Sequence, residues 1–116
     1  MTAGQIVRVD FRHPLAGSGE VNKLGRPAIV VGAPPLFGGD LTFEIVVPLT
    51  RRPDFAFAGA SLAIEPTREN GATELSYAIS WNVQTVPHAR IRETSARITA
   101  GQLAVIRAQV GAAIGV

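Results

Sequence analysis

The chain has 116 residues, no cysteine, 12 glycines, 8 prolines and a formal net charge of +2. That length suits one domain over residues 1–116, and the absence of cysteine excludes disulfides and thiolate chemistry. No apolar run nears the ~20 residues of a spanning helix, and Met1-Thr2-Ala3-Gly4 lacks the basic-then-apolar pattern of a signal peptide, so a cytoplasmic protein with no membrane role is expected.

In chain order, Gln5 to Phe11 alternates with period two, setting Ile6, Arg8 and Asp10 on one face and Gln5, Val7, Val9 and Phe11 on the other: a strand. Residues 12–24 form a polar loop with Pro14, Gly17, Ser18 and Gly19. Arg26 opens a nearly continuous apolar strand through Val31. A Pro/Gly-rich connection leads to a strand over 41–49, with Pro48 near its end. Residues 51–58 read as an exposed loop. A short strand over 61–65 is followed by a turn ending in Asn70-Gly71.

Residues 74–86 read as the longest extended segment, with Leu75, Tyr77, Ile79, Trp81 and Val83 on its core face. A turn at 87–90 and a strand over 91–98 follow. Thr99 with Gln102 has capping-box spacing, and Leu103, Ile106, Val110 and Ile114 recur at helical intervals. The expected architecture is mainly β with a C-terminal helix (α+β): a small antiparallel barrel or coiled sheet.

Ten of the 11 cations are arginine, whose planar forks match phosphate geometry. The two histidines, His13 and His88, sit in separate turns with no carboxylate at ligand spacing, so no metal site is expected. No nucleophile elbow, P-loop or dinucleotide fingerprint is present. The pair with chemical promise is Arg26 and Thr50. In a hairpin centred on Gly38 the two oppose each other on one face, with Cβ atoms roughly 5 Å apart. A slip of one residue would separate them to opposite faces.

Five motifs in order resemble the MazF/PemK family of toxin–antitoxin ribonucleases. They are Gly4-Gln5-Ile6-Val7-Arg8-Val9-Asp10-Phe11, the loop Gly17-Ser18-Gly19-Glu20, Gly25-Arg26-Pro27-Ala28, Val47-Pro48-Leu49-Thr50 and Asn82-Val83-Gln84-Thr85-Val86. The resemblance implies an SH3-like small barrel of the MazF/PemK/CcdB type. It implies a cofactor-free endoribonuclease that cuts single-stranded mRNA with Arg26 and Thr50 as the catalytic pair. Ser18, Glu20, Lys23, Arg51, Arg52, Asn82 and Gln84 are the implied RNA-binding residues. Gln84 replaces a family arginine, which bears on the recognised sequence more than on the chemistry. A homodimer and a cognate acidic antitoxin are the implied partners.

Two other functions are compatible with such a barrel: a CcdB-like gyrase poison and a non-catalytic SH3-like binding module. The terminal Ala113-Ile114-Gly115-Val116 lacks the tryptophan that the poison requires. His13 would serve as a base only if its loop folded over the groove. Phe55 and Phe57 are expected to pack in the core rather than stack on bases, and Trp81 to pack in the core or at a subunit interface.

Overall fold

The computed structural model describes residues 1–11, 25–34, 36–37 and 40–116. Among the described residues, seven strands run in chain order as β1 (Gln5–Val9), β2 (Arg26–Val30), β3 (Phe43–Thr50), β4 (Leu62–Ile64), β5 (Ser76–Ala78), β6 (Gln84–Pro87) and β7 (Ile91–Arg97), followed by the α-helix α1 (Ala100–Ala113). The sheet order is β4-β5-β3-β2-β1-β7, with β6 also paired to β3, and every pairing is antiparallel.

The alternation of β1 sorts its side chains as expected. Ile6 joins one apolar cluster with Ile29, Val47, Leu49, Ile64, Ala78, Ile98 and Ile106. Val7, Val9 and Phe11 join a second with Ala28, Val30, Val46 and Val86. Strands β2 and β3 feed both clusters, which is why they read as almost unbroken apolar runs rather than as alternating ones. Fully burying one such aliphatic side chain contributes roughly 1.5–3 kcal/mol, so the two clusters hold the sheet curved around its middle strands.

The helix seats on the first cluster through Ile106, with Leu103 and Val110 beside it. Its start carries the full capping box, each of Thr99 and Gln102 bonding the other's backbone amide. Polar clamps fix its rotation. Arg107 Nε donates to the Val31 carbonyl at 3.0 Å, and Gln109 Nε2 donates to the Ser61 carbonyl at 2.8 Å. Ile114 departs from the expected stripe: it follows the last helical residue and is 68% exposed. A helix ending at Ala113 cannot carry the apolar face one turn further.

A second departure is the segment 74–86, which is two strands and not one. Along β3, Val46 pairs with Gln84 but Leu49 pairs with Ala78, so three steps along β3 are matched by six along its partner. The excess is taken up by a 3-10 turn over Ser80–Asn82. Pro48 sits at the switch. Its carbonyl accepts the Ile79 amide at 3.0 Å, but proline has no amide to return, and the ladder breaks there. The expected two-faced pattern breaks with it: Ser80 is fully buried, held to Gln109 Oε1 at 2.8 Å, while Leu75 is exposed.

Candidate catalytic cleft

Strands β2 and β3 pair Ala28 with Pro48, Ile29 with Val47 and Val30 with Val46. Carried two residues outward, the same register sets Arg26 against Thr50, although Gly38 at the turn lies outside the described residues. Arg26 is also opposed to Val9 of β1, so the guanidinium starts from the face that bears the second apolar cluster. Both residues are buried, Arg26 to 8% exposure and Thr50 to 3%. Gly25 precedes Arg26 at φ +80, and a Cβ there would lie 3.2 Å from the Val9 amide nitrogen. A glycine is therefore what allows β2 to start this close to β1.

The two residues line a cleft of about 690 Å³ at the strand ends. Ile6, Leu49 and Ile64 give it an apolar floor. Arg8 and Arg51 bring cations and Thr73, Ser76 and Thr94 bring hydroxyls to its walls, while Arg26 and Thr50 border it from strand positions whose side chains start on the opposite face. Thr94 reaches the cleft through an irregularity in the β1–β7 ladder, where Gln5 pairs with Arg97 but Val7 pairs with Glu93. Such bulges re-aim side chains at the margins of a sheet.

The opposite wall is the turn from Asn70 to Glu74. Asn70, itself buried, accepts the amides of Thr67 at 3.0 Å and Ala72 at 2.9 Å, and donates Nδ2 to the Glu65 carbonyl at 2.8 Å. The asparagine side chain thus substitutes for missing backbone partners and makes the wall rigid. Gly71 follows at φ +65, as the Asn-Gly dipeptide predicts.

Desolvation lowers the Arg26 pKa from its ordinary value, because burial penalises the charged form. A partly desolvated guanidinium binds an anion more strongly than one fully in water, since less solvent competes for its donors. Thr50 Oγ1 accepts the Arg52 amide at 3.2 Å, which commits an oxygen lone pair and leaves the hydroxyl hydrogen to be donated. Arg51 makes an exposed ion pair with Glu74 at 3.5 Å. A solvated pair of this kind is worth ~0–1 kcal/mol, so an incoming phosphate can replace the carboxylate. Among the described residues no group of three His, Asp or Glu side chains converges. Among the described residues the cleft's lining is one of cations and hydroxyls with one carboxylate, Glu74, suited to an anionic ester.

Of the residues expected at the site, the cleft brings together Arg26, Thr50 and Arg51. Arg52 stands outside its lining, bound to Asp54 at 2.8 and 3.2 Å, and through that bond it lowers the Asp54 pKa. Asn82 falls in the 3-10 turn, away from the cleft. Gln84 is opposed to Val46 and so shares the face of Thr50, but it lies four residues along β3, about 13 Å away. Ser18, Glu20, Lys23 and His13 lie outside the described residues.

Arg8, Thr73, Ser76, Glu74 and Thr94 line the cleft without having been anticipated there. Only Asn70-Gly71 carried a local signal, and it reads as a turn. Nor do the aromatics fully submerge. Phe57 is 55% exposed and its ring leans on Trp81 with centroids 5.6 Å apart, where core packing was expected.

No helix among the described residues is long and apolar enough to cross a membrane. In sequence, no curated protein matches the chain significantly. Solved structures do share its fold. The MazF toxin of Deinococcus radiodurans is 22% identical with a TM-score of 0.71, over 98% of this chain and 96% of its own. The Mycobacterium tuberculosis toxin MazF-mt6 is 17% identical with a TM-score of 0.70, over 95% of each chain. An endoribonuclease from a mycobacterial species, solved in complex with its cognate antitoxin, is 16% identical with a TM-score of 0.72, over 98% of this chain and 94% of its own. The sequence pattern of the family described as PemK-like, MazF-like toxin of type II toxin–antitoxin system matches residues 2–114, and the chain belongs to that family.

Proposed function

We propose that this toxin is a metal-independent endoribonuclease that cuts single-stranded RNA, mRNA in particular, at the Arg26–Thr50 cleft. The observation that carries the reading is the buried cross-strand placement of a guanidinium and a hydroxyl at the edge of a cationic cleft.

Without a metal, the most accessible nucleophile is the substrate's own 2′-hydroxyl. Its oxygen forms a bond to the adjacent phosphorus as the bond from phosphorus to the 5′-oxygen breaks. The 2′-proton is lost and the 5′-oxygen gains one, giving a 2′,3′-cyclic phosphate and a free 5′-hydroxyl. Negative charge gathers on the non-bridging oxygens, and Arg26 stabilises it. A preorganised donor in this role is worth ~3–4 kcal/mol. Thr50, its oxygen anchored by the Arg52 amide, donates its hydroxyl hydrogen to a phosphate oxygen or orients the 2′-hydroxyl. Arg51 and Arg8 attract flanking phosphates, and splayed bases suit an open cleft better than a duplex does.

We further infer a homodimer in the cytoplasm, silenced by a small acidic antitoxin that covers the RNA groove. One solved structural relative is an endoribonuclease held by its cognate antitoxin, which supports the partner. Charge complementarity with the cleft arginines supports the place of binding.

The test is incubation of the purified protein with single-stranded RNA in excess EDTA, followed by identification of the new ends. Cyclic-phosphate ends that vanish with Arg26→Ala and with Thr50→Ala support the reading. Intact RNA overturns it: accompanied by gyrase inhibition it indicates a CcdB-like poison, and with neither effect a binding module.

A further inference from the structure

We propose that Phe57, seated on Trp81, is a stacking platform for an unpaired base of the RNA strand whose scissile phosphate lies at Arg26 and Thr50; the inference rests on the ribonuclease reading above. Phe57 is 55% exposed, yet its surroundings are fixed. The amide of Phe57 donates to the Phe55 carbonyl at 3.2 Å, and its carbonyl accepts Ala60 N at 3.0 Å and Ser61 Oγ at 2.9 Å. Behind it, Trp81 donates Nε1 to the Phe55 carbonyl at 2.9 Å and its own amide to Ala60. Phe55 leans on Trp81 from another side, at 6.4 Å, with the Arg52 guanidinium 5.3 Å from its ring centroid. An exposed aromatic ring on a preordered backbone loses little freedom when a flat partner stacks on it.

The platform is continuous with the cleft. Arg52 holds Thr50 Oγ1 with its amide and covers Phe55 with its guanidinium, while Arg51 between them lines the cleft itself. Charge selects the occupant. Asp54 beside Phe55 is ion-paired with Arg52, so the patch offers no uncompensated cation to an acidic segment, whereas a nucleobase is neutral and has a π-face.

The chain has one tryptophan, so its fluorescence reports this patch alone. The Arg26→Ala protein, which holds RNA without cutting it, is titrated with a short single-stranded RNA and with an abasic strand of equal length. The RNA is expected to shift Trp81 emission and the abasic strand to leave it unmoved. Phe57→Ala in that background raises Kd about 5- to 150-fold, and Phe57→Tyr restores it. The salt slope of log Kd stays the same for Phe57→Ala and becomes shallower by ~0.7 for Arg51→Ala.

An unchanged Kd in Phe57→Ala, or equal emission shifts from both strands, overturns the platform while wild-type cleavage leaves the ribonuclease reading standing. RNA that shifts the emission but is never cut by wild type supports the platform and removes the ribonuclease. An emission shift from an acidic peptide with none from RNA overturns the platform and assigns the patch to a protein partner.

Discussion

The Thr50 hydroxyl oxygen accepts the amide hydrogen of Arg52 at 3.2 Å, so the proposed catalytic threonine is oriented by the residue two positions after it. This separates two substitutions that residue similarity would rank together. Thr50→Ser keeps the acceptor and the donor, and cleavage should stay within about tenfold of wild type. Thr50→Val keeps the shape but loses both. It should lower kcat ~10²–10³-fold and strand the Arg52 amide, costing ~1–3 kcal/mol if that amide finds no water. Single-turnover cleavage and denaturant melts of the two variants check both figures; equal rates would remove Thr50 from the chemistry.

Burial lowers the Arg26 pKa, which means the fold disfavours the charge it holds there. Arg26→Met keeps the aliphatic stem and removes the charge, so it should abolish cleavage while the protein still folds. A thermal melt beside the RNA assay reads both. A drop of several degrees in Tm would show that Arg26 is a structural residue whose loss impairs the cleft indirectly.

Asn70 braces the cleft wall through three backbone partners. Asn70→Ala leaves the Thr67 and Ala72 amides and the Glu65 carbonyl without that partner, and should cost ~2–3 kcal/mol. RNA cleavage at temperatures where the variant remains folded should show a raised KM with a smaller change in kcat, because the wall positions substrate and does not touch the reacting atoms. A kcat loss as large as that of Arg26→Ala would contradict this division.

Gly32 lies in the connection after β2. A Cβ at this position would overlap Glu44 Oε1 and lie 2.8 Å from Phe37 Cβ. Glu44 is buried and its Oε1 accepts the Ile45 amide at 3.1 Å, so it cannot retreat freely. Gly32→Ala should therefore cost ~1–3 kcal/mol, and Glu44→Ala in the same chain should return part of it. Chemical denaturation of the single and double variants measures the coupling; additive losses would show that the two positions do not interfere.

The capping box at Thr99 predicts that Thr99→Ala costs ~1 kcal/mol, or about 3–6 °C in Tm. Since no residue of α1 lines the cleft, cleavage by the folded variant should be unchanged.

Local chemistry alone determined much of this. Period-two alternation sorted Ile6 from Val7 and Val9, Thr99 and Gln102 marked the helix start, and Asn70-Gly71 marked a turn. The Pro/Gly-rich connection between two apolar strands marked a hairpin, and a centre at Gly38 gave the register that β2 and β3 adopt. With both faces of each strand buried, the apolar pattern alone would have tolerated a slip. That register placed Arg26 opposite Thr50.

What only the tertiary structure decided depends on contacts distant in sequence. The break at 74–86 follows from Pro48, a residue of another strand whose missing amide matters only once β3 lies beside it. Arg8, Thr94 and the Asn70 wall meet at one cleft because the sheet curls its far edges together, and no spacing in the chain records that. The exposure of Phe57 likewise reflects where Trp81 sits, in a turn 24 residues downstream. Short-range patterns encode which way a side chain faces; only packing decides what it faces.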